Sequence, residues 1–441
     1  MRRTIVCAGA VAAALGVGAS EGTAAGCAPI PQPPLGQLAA LPLAPQAARV
    51  DLCAPAFSAP TRITNPLFPI AQLRSALLLG LVDGKRFRTE TTLMPHTTTI
   101  RWNGRRIEAL ESQYVAYLDG RLHEVALDRY AQADDGSVWY LGEDVFNYED
   151  GVIADTDGTW LAGREGPAAM IMPARPAVGD AFRPENVPGV VFEEVAVERV
   201  GVRVAGPSGP VAGAIVTRET HQDGSTERKL FAPGYGEFLT GSGGELEAMA
   251  MAVPVDALAG PPPRELAAIA RAADAAFDAA GAGDWTGAAA QADAIRLAWT
   301  ALRGRAIPPR VDGEMGRAVR ALATAVRARR AHAARLAALD AATSGLDLRL
   351  RHRPPSEIDR GRFELRLRRI EADAAAGDRD AVRAGAATLG WIRDRIAHSL
   401  PPAGLRRLDA RLRYLEAAAT AGELERAADA AGRMGTASTR R

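Results

Sequence analysis

The chain has 441 residues, 47% of them hydrophobic, and a formal net charge of +1. This length exceeds what one hydrophobic core usually serves, so it favours two domains. The near-neutral charge hides an asymmetry, because residues 262–441 hold 32 Arg against 22 acids while residues 1–261 hold 21 bases against 30 acids. The arginines are interspersed with acids and form no long basic block, so the composition does not predict nucleic-acid binding.

The first 25 residues have the pattern of a secretory signal peptide. Arg2 and Arg3 precede an apolar stretch from Ile5 to Val17, and small residues follow it. The apolar stretch is too short to span a membrane. We therefore predict an exported protein that is periplasmic, attached to the envelope or extracellular.

Cleavage of the signal peptide leaves two cysteines, Cys27 and Cys53, in a Pro- and Ala-rich arm predicted at residues 26–56. Two cysteines in an oxidising compartment favour a disulfide. The alternative is that "AAGC", residues 24–27, is a lipobox. Cys27 would then be an acylated membrane anchor and the arm its tether.

Residues 57–257 are punctuated by Asp-Gly and Asn-Gly pairs, which favour tight hairpin turns because these residues tolerate positive φ. Strand-like runs with alternating apolar and polar residues lie between the pairs, for example "TTTIRW" and "VFEEVAVERVGVRV". The seven Asp-Gly or Asn-Gly pairs begin at residues 83, 103, 119, 135, 150, 157 and 223. The region is predicted to be a curved antiparallel sheet or a barrel.

After "GPPP" at residues 260–263 the sequence changes to Ala, Leu and Arg at helical spacing. Helices are predicted at residues 264–281, 284–302, 312–346, 355–376, 378–398, 402–419 and 421–434. The fold class is therefore α+β, with an antiparallel curved β-sheet or barrel domain at 57–257 followed by an α-helical bundle at 262–436.

One helical segment, residues 339–369, is rich in both signs of charge. Asp340 and Asp347 are seven residues apart and therefore lie on one helical face. The pattern predicts an ion-pair network at the corner where prolines interrupt the helices, with a ligand site as the alternative.

The segment "DRYAQADDGSVWYLGEDVFNYEDG", residues 128–151, combines aromatic side chains with many carboxylates. Carboxylates on hairpin turns can bind Ca²⁺, but the sequence has no EF-hand spacing, so solvated turns are the favoured interpretation. Glu143 and Asp144 are adjacent, and adjacent strand residues point to opposite faces, so they are not a facing pair of catalytic carboxylates.

Ligand-binding candidates come from this segment and from "WLAGREGPAAMIMPARPAVGD", residues 160–180. Trp and Tyr beside carboxylates are typical of ligand platforms, and Met adapts to apolar ligands, although all three are common in cores. The candidates are Trp139, Tyr140, Glu143, Asp144, Trp160, Met170 and Met172.

The six histidines are scattered, and no two have the spacing of a metal-binding pair on one helix or strand. The sequence also contains no "HExxH", no Gly-rich phosphate loop and no "GxSxG". We therefore assign no catalytic residue, no metal ligand and no cofactor.

Three motifs resemble a group of uncharacterised secreted bacterial proteins: "VWYLGED", "GTWLAGREGPAAMIMPARPAVGD" and "ERKLFAPGYGEF". The resemblance covers residues 57–257 and implies export and a β-rich domain. "KLFAPGYGEF" is also similar to the last hairpin of envelope lipoprotein-like β domains, whose curved sheets cover an apolar ligand.

These observations predict a non-enzymatic envelope binding or scaffold protein. Its β domain would hold an apolar or aromatic small ligand, with Cys27 as the possible membrane tether. The alternative is an extracellular glycan hydrolase that uses carboxylates of the β domain, from among Glu143, Asp144, Glu193 and Glu194.

Overall fold

The computed structural model describes residues 27–438, with side chains to residue 435. The predicted signal peptide lies outside the described residues. Within them the chain forms a fourteen-stranded antiparallel sheet, which is not closed, followed by eight α-helices. The α+β class is therefore confirmed, and of the two predicted β architectures the structure has the open sheet.

The strands follow one another along the chain, mostly as hairpins. They are β1 (Ser75–Val82), β2 (Lys85–Trp102), β3 (Arg105–Leu118), β4 (Arg121–Gln132), β5 (Val138–Glu149), β6 (Val152–Asp155), β7 (Trp160–Leu161), β8 (Ala169–Met172), β9 (Ala181–Val187), β10 (Val191–Gly206), β11 (Gly209–His221), β12 (Thr226–Ala232), β13 (Gly236–Gly241) and β14 (Leu246–Val253). Their order in the sheet is β6-β5-β4-β3-β2-β1-β14-β13-β12-β11-β10-β9, and β7 and β8 both pair with β5.

Four of the seven Asp-Gly or Asn-Gly pairs form the predicted two-residue hairpin turns. Asp83, Asn103, Asp119 and Asp150 have φ between 47° and 53°, and the glycine after each also has positive φ. Both central residues of a type I′ turn need this conformation. In the pairs that begin at residues 135, 157 and 223 only the glycine has positive φ, so these are other kinds of turn.

The sheet curls until strands near its opposite ends meet. β5 contacts β9, with Glu143 near Glu185, although nine strands separate the two strands in the sheet order. Residues of β5, β8, β9 and β10 also belong to one buried core. We call the enclosed side of the sheet the inner face and the opposite side the outer face.

Eight helices follow β14 and agree closely with the predicted positions. They are α1 (Arg264–Gly281), α2 (Trp285–Leu302), α3 (Pro309–Arg327), α4 (Ala331–Arg349), α5 (Pro355–Ala375), α6 (Arg379–Ile396), α7 (Pro402–Thr420) and α8 (Leu424–Ser438). None of these helices is both long enough and apolar enough to cross a membrane.

The prediction of a single helix at residues 312–346 is wrong. The structure divides it into α3 and α4, because Arg329 between them has a φ of 51°, which ends the right-handed helix. Ala and Arg continue through the break at helical spacing, so the hydrophobic period alone gives no sign of it.

The helices cover the outer face of the sheet. Leu77 and Leu79 of β1 lie in one core with residues of α1 to α4. Val115 and Tyr117 of β3 pack in another core with Ala384 of α6. The alternation of β1 and β3 thus supplies the apolar surface on which the helical region rests.

A network of six charges, five of them buried and Arg88 half-buried, joins this face to the helices, and we call it the outer-face ion network. It consists of Arg88 and Glu90 on β2, Asp347 on α4, Asp359 and Arg362 on α5, and Arg395 on α6. Arg88 Nη1 lies 2.8 Å from Asp347 Oδ2, and Arg395 Nη1 lies 3.0 Å from Glu90 Oε2. The ion-pair network predicted around residues 339–369 is therefore present, and the strand β2 belongs to it as well.

The arm at residues 27–56 lies against the sheet. It contains two short 3₁₀ helices, Gly36–Ala40 and Gln46–Ala48, and its Val50 N–H donates to the Ala181 carbonyl of β9 at 2.9 Å. Cys27 and Cys53 are joined by a disulfide. Of the two predicted roles for Cys27, the structure contains the disulfide. The arm covers the edge strand β9.

Candidate functional site

The segment "VWYLGED" contains a β-bulge that decides which side chains enter the interior. Asp128 of β4 pairs with Glu143, and Tyr130 pairs with Tyr140, so β5 has one residue more than β4 in this interval. Gly142 in the bulge has a φ of 121°, and a Cβ there would lie 2.4 Å from the Trp160 carbonyl oxygen. Because the bulge shifts the alternation, both Tyr140 and Glu143 face inward.

The five apolar candidates predicted from the sequence pack together in one buried core. Trp160 and Met172 are completely buried, and Trp139, Tyr140 and Met170 are at most 4% exposed. They belong to the core that also holds residues of β9 and β10. Among the described residues that line the interior cavity, none of these five is present.

The predicted carboxylate candidates lie on opposite faces. Glu143 points inward to Glu185, whereas Asp144 points outward, with its Oδ2 atom 2.5 Å from Arg129 Nη2. Glu193 points inward to His221, whereas the neighbouring Glu194 pairs with Arg183 at 3.0 Å. As predicted, Glu143 and Asp144 do not face one substrate as a pair.

A cavity of about 400 Å³ lies between the inner face and the segment that precedes β1. One wall is apolar and includes Phe68, Ile70, Leu73 and Leu78. Tyr130 continues this wall, with its ring edge-on to Phe68 at a centroid distance of 4.8 Å. The ring of Tyr140 stacks behind Tyr130 at 4.8 Å, so the predicted aromatic residue supports the cavity wall from behind.

The other wall of the cavity is acidic. Asp128, Glu227, Glu237 and Glu247 line it, and Lys229 is the one cationic residue among the described lining residues. Lys229 Nζ lies 3.5 Å from Glu227 and 2.9 Å from Glu219, which is just beyond the cavity. The other three lining carboxyls are thus left without an ion pair to Lys229.

Burial of these carboxyls raises their pKa values. The pKa of Glu247 rises to about 8 because of burial and the nearby Glu237, although Thr89 donates a hydrogen bond to it. Burial likewise raises the pKa of Asp128 to about 6, although Tyr140 and Ser112 both donate to its carboxylate. A cation in the cavity would favour the ionised form of both groups.

The acidic surface continues around the interior beyond the cavity. Burial raises the pKa of Glu143 to about 8, and burial together with Glu193 and Glu143 raises the pKa of Glu185 well above its ordinary value. These acids bridge the gap between β5 and β9, where the strands themselves are not paired. The interior therefore carries more acidic groups than its bases can neutralise.

Next to the cavity and to these acids lies the group that we call the His–carboxylate cluster: Glu193, Glu219, His221 and Glu227. His221 Nδ1 is 3.2 Å from Glu193 Oε1, and Nε2 is 3.6 Å from Glu227 and 3.9 Å from Glu219. Although burial alone would lower it, the neighbouring Glu193 and Glu227 raise the pKa of His221 to about 10.

The sequence contains part of the pattern for this cluster. Glu219 and His221 are two residues apart on β11, and Glu227 and Lys229 are two residues apart on β12, so each pair shares a face. A search for two histidines at metal-binding spacing does not find these residues, because the cluster has a single histidine. The pairing of Glu193 with His221 and of Glu219 with Glu227 depends on strand register, which neither segment shows alone.

The chain was compared with models of known protein families, with curated proteins and with solved structures, and none of them matches it.

Proposed function

We propose that this is an exported binding protein whose inner cavity holds a small organic cation with an apolar part, such as a primary amine. The observation that carries the proposal is that apolar and acidic side chains line the same cavity. The volume of about 400 Å³ is within the range of small-molecule sites. This retains the predicted binding role and changes the expected ligand from apolar to amphipathic and cationic.

The apolar wall supports the tail of such a ligand. Phe68, Ile70, Leu73 and Leu78 offer aliphatic and aromatic surface, and Tyr130 offers the face of a ring. Each CH₂ group that leaves water for this wall contributes roughly 0.8 kcal/mol to binding. An alkyl or aryl tail therefore gives affinity without needing a polar partner.

The acidic wall supports the cationic head. Asp128, Glu237 and Glu247 face the cavity, and the nearby Lys229 is engaged with Glu219 and Glu227. An ammonium group that enters the cavity replaces the protons held by the raised-pKa carboxyls and forms charge-assisted hydrogen bonds with the carboxylates. The same wall disfavours anions, because like charges in a buried site repel strongly.

Calorimetric titration of the mature protein with matched probes tests this proposal. The probes are primary amines with butyl, octyl or phenylethyl tails, and compounds with the same tails that carry a hydroxyl or a carboxylate instead. We expect at least one amine to bind about tenfold more tightly than its alcohol, a difference of about 1.4 kcal/mol, and the carboxylates not to bind.

Variants of the acidic wall connect binding to this cavity. Glu247→Gln and Asp128→Asn should each weaken amine binding by about tenfold or more, since each removes a charge that faces the ligand. Asp144→Asn is the matched control, because Asp144 is close in sequence to the site but points outward. Equal affinity for an amine and its alcohol, or wild-type affinity in both cavity variants, would contradict the proposal.

Export is a further part of the proposal, and it is supported by the signal-like N-terminal sequence together with the disulfide. The glycan hydrolase is kept as the competing hypothesis. Release of reducing sugars from cell-wall or extracellular polysaccharide, abolished by Glu143→Gln or Glu193→Gln, would favour hydrolysis over binding.

A further inference from the structure

We propose that Glu193, Glu219 and His221 form a binding site for one divalent transition-metal ion of the Zn²⁺ type. The site lies beside the amine cavity, and its three ligands do not line that cavity, so the two proposals can be tested separately. One carboxylate comes from β10, and the second carboxylate and the imidazole come from β11. One ligand atom from each residue lies within 4.8 Å of the other two.

Strand geometry directs these three side chains to one point. Glu219 and His221 share the inner face of β11 because they are two residues apart. Glu193 on β10 pairs directly with His221, so its carboxylate lies beside the imidazole ring. Donors at metal–ligand distances of about 2.0–2.2 Å lie at most about 4.4 Å apart, so the three side chains must move slightly closer together when an ion binds.

Glu219 supplies a second, independent observation, a buried carboxylate oxygen that has an ion pair but no hydrogen bond. Its side chain is 2% exposed, and its Oε1 atom accepts no hydrogen bond from the described residues. Lys229 Nζ lies 2.9 Å from that oxygen, but the approach is an ion pair without hydrogen-bond geometry. A buried carboxylate oxygen normally has hydrogen-bond partners, so this atom has unused capacity to coordinate.

The charges around the site match a divalent ion. Glu185 on β9, Glu193 on β10, Glu219 on β11 and Glu227 on β12 face His221 or its partners, and Lys229 is the nearby base. Metal binding displaces the proton of His221, because the neutral imidazole is the form that binds metals. With the imidazole neutral and all three carboxylates of the cluster ionised, these groups and the Lys229 ammonium sum to −2. One divalent ion neutralises this charge.

The ligand types select the kind of ion. Imidazole nitrogen suits Zn²⁺, Co²⁺ and other transition metals, whereas Ca²⁺ takes six to eight oxygen ligands. Two carboxylates and one imidazole resemble the three-ligand sets of open zinc sites, which leave a position for water. His221 is 28% exposed, so an ion and its water can reach the site from solvent.

Calorimetric titration of the metal-free mature protein with ZnCl₂ and with CaCl₂ at pH 7.5 tests the site. We expect about one Zn²⁺ per chain and no saturable Ca²⁺ binding. His221→Gln and Glu193→Gln should each weaken Zn²⁺ binding at least tenfold. His96→Gln is the matched control, because His96 also contacts a carboxylate, Glu111, at 2.9 Å, but lies outside the cluster.

Circular dichroism of each variant separates loss of binding from loss of the fold. If His221→Gln fails to fold, Glu193→Gln, whose side chain is 22% exposed, decides the question. Absence of Zn²⁺ binding to the wild-type protein overturns the proposal, and so does equal binding in the folded cluster variants and in His96→Gln. Amine binding is measured without metal, so failure of either proposal leaves the other unaffected.

Discussion

The two faces of the sheet both hold buried charge, but they neutralise it differently. On the outer face three arginines (Arg88, Arg362 and Arg395) meet three carboxylates in the outer-face ion network. Although burial opposes ionisation, these arginines hold the pKa of Glu90 below its ordinary value. On the inner face Lys229 and His221 stand among many more carboxyls, and burial raises the pKa of several of these acids.

This difference separates a structural role from a binding role. A buried charge with good partners remains ionised and fixes the position of neighbouring elements, although its net contribution to stability is small. A buried carboxyl without a base must bind a proton or an external cation. The outer face therefore balances its buried charges with its own side chains, whereas the inner face has capacity for positive charge.

The largest expected effect comes from breaking the outer-face ion network. Arg395→Met leaves Glu90 and Asp359 buried near each other with one fewer base, and should lower the free energy of unfolding by about 3–5 kcal/mol. Urea denaturation followed by circular dichroism measures the change. Arg393→Met is the control on the same helix, and it should cost under about 1 kcal/mol because its partner Asp409 is partly exposed.

The pH dependence of stability tests the inner face. The pKa values of Glu143, Glu219 and Glu247 are raised from 4.5 to about 8 in the folded state. Between these pH values the folded protein binds more protons than the unfolded chain, so stability falls as pH rises. The raised pKa of His221 has the same effect, because the stability that the protonated imidazole contributes is lost as the pH rises towards about 10.

We therefore expect the free energy of unfolding to be greatest near about pH 5 and to be lower by about 2 kcal/mol or more at pH 8. At acidic pH the lowered pKa of Glu90 causes the loss of stability. The stability that ionised Glu90 contributes is lost as the pH falls below the pKa that this residue has in the unfolded chain. Urea denaturation from pH 4 to pH 9, without added metal or amine, measures the profile. Stability that rises from pH 5 to pH 8 would show that the inner carboxyls are ionised and well paired.

Much of the fold was predictable because its signals are local. Paired positive-φ residues specify the hairpins at 83, 103, 119 and 150, and a sharp change of period marks the start of the helices. The break at Arg329 was missed because Ala and Arg favour helix on both sides of it. Only the packing of α3 and α4 against each other and the sheet decides where the chain turns.

The site was harder to predict because it depends on curvature and register. Glu143 is a candidate from the sequence, but the approach of Glu185 to it requires the sheet to curl through nine strands. The apolar candidates were chosen for their residue types, and a strand in a packed core has the same residue types as a strand that lines a cavity. Asp128 belongs to the acidic segment 128–151, but nothing in the sequence distinguishes it from the solvated acids there, and Glu247 is an isolated acid of the kind that is usually solvated.

A single inner-face substitution should have a smaller effect, opposite in sign to that on the outer face. Ionisation of the buried Glu247 carboxyl at pH 8 destabilises the folded protein. Glu247→Gln removes this cost and should raise the free energy of unfolding at pH 8 by about 1 kcal/mol. Glu90→Gln is the matched outer-face substitution and should lower it, because Arg88, Arg362 and Arg395 lose a partner. The expected contrast fails if both substitutions change stability in the same direction at pH 8.

The smallest expected effect concerns the connection between the β and helical regions. Residues 257–261 are exposed and join β14 to α1, so we expect limited proteolysis to cut near 257–263. The outer-face ion network and the apolar contacts of Leu77 and Leu79 with the helices do not depend on this connection. The two fragments should therefore elute together on gel filtration with little change in elution volume, and separate only in denaturant.

The same cut in Arg395→Met should release the helical fragment at a lower urea concentration than in Arg393→Met. Fragments that separate in buffer alone would mean that the two regions are independent domains, and that the outer-face ion network does not hold them together.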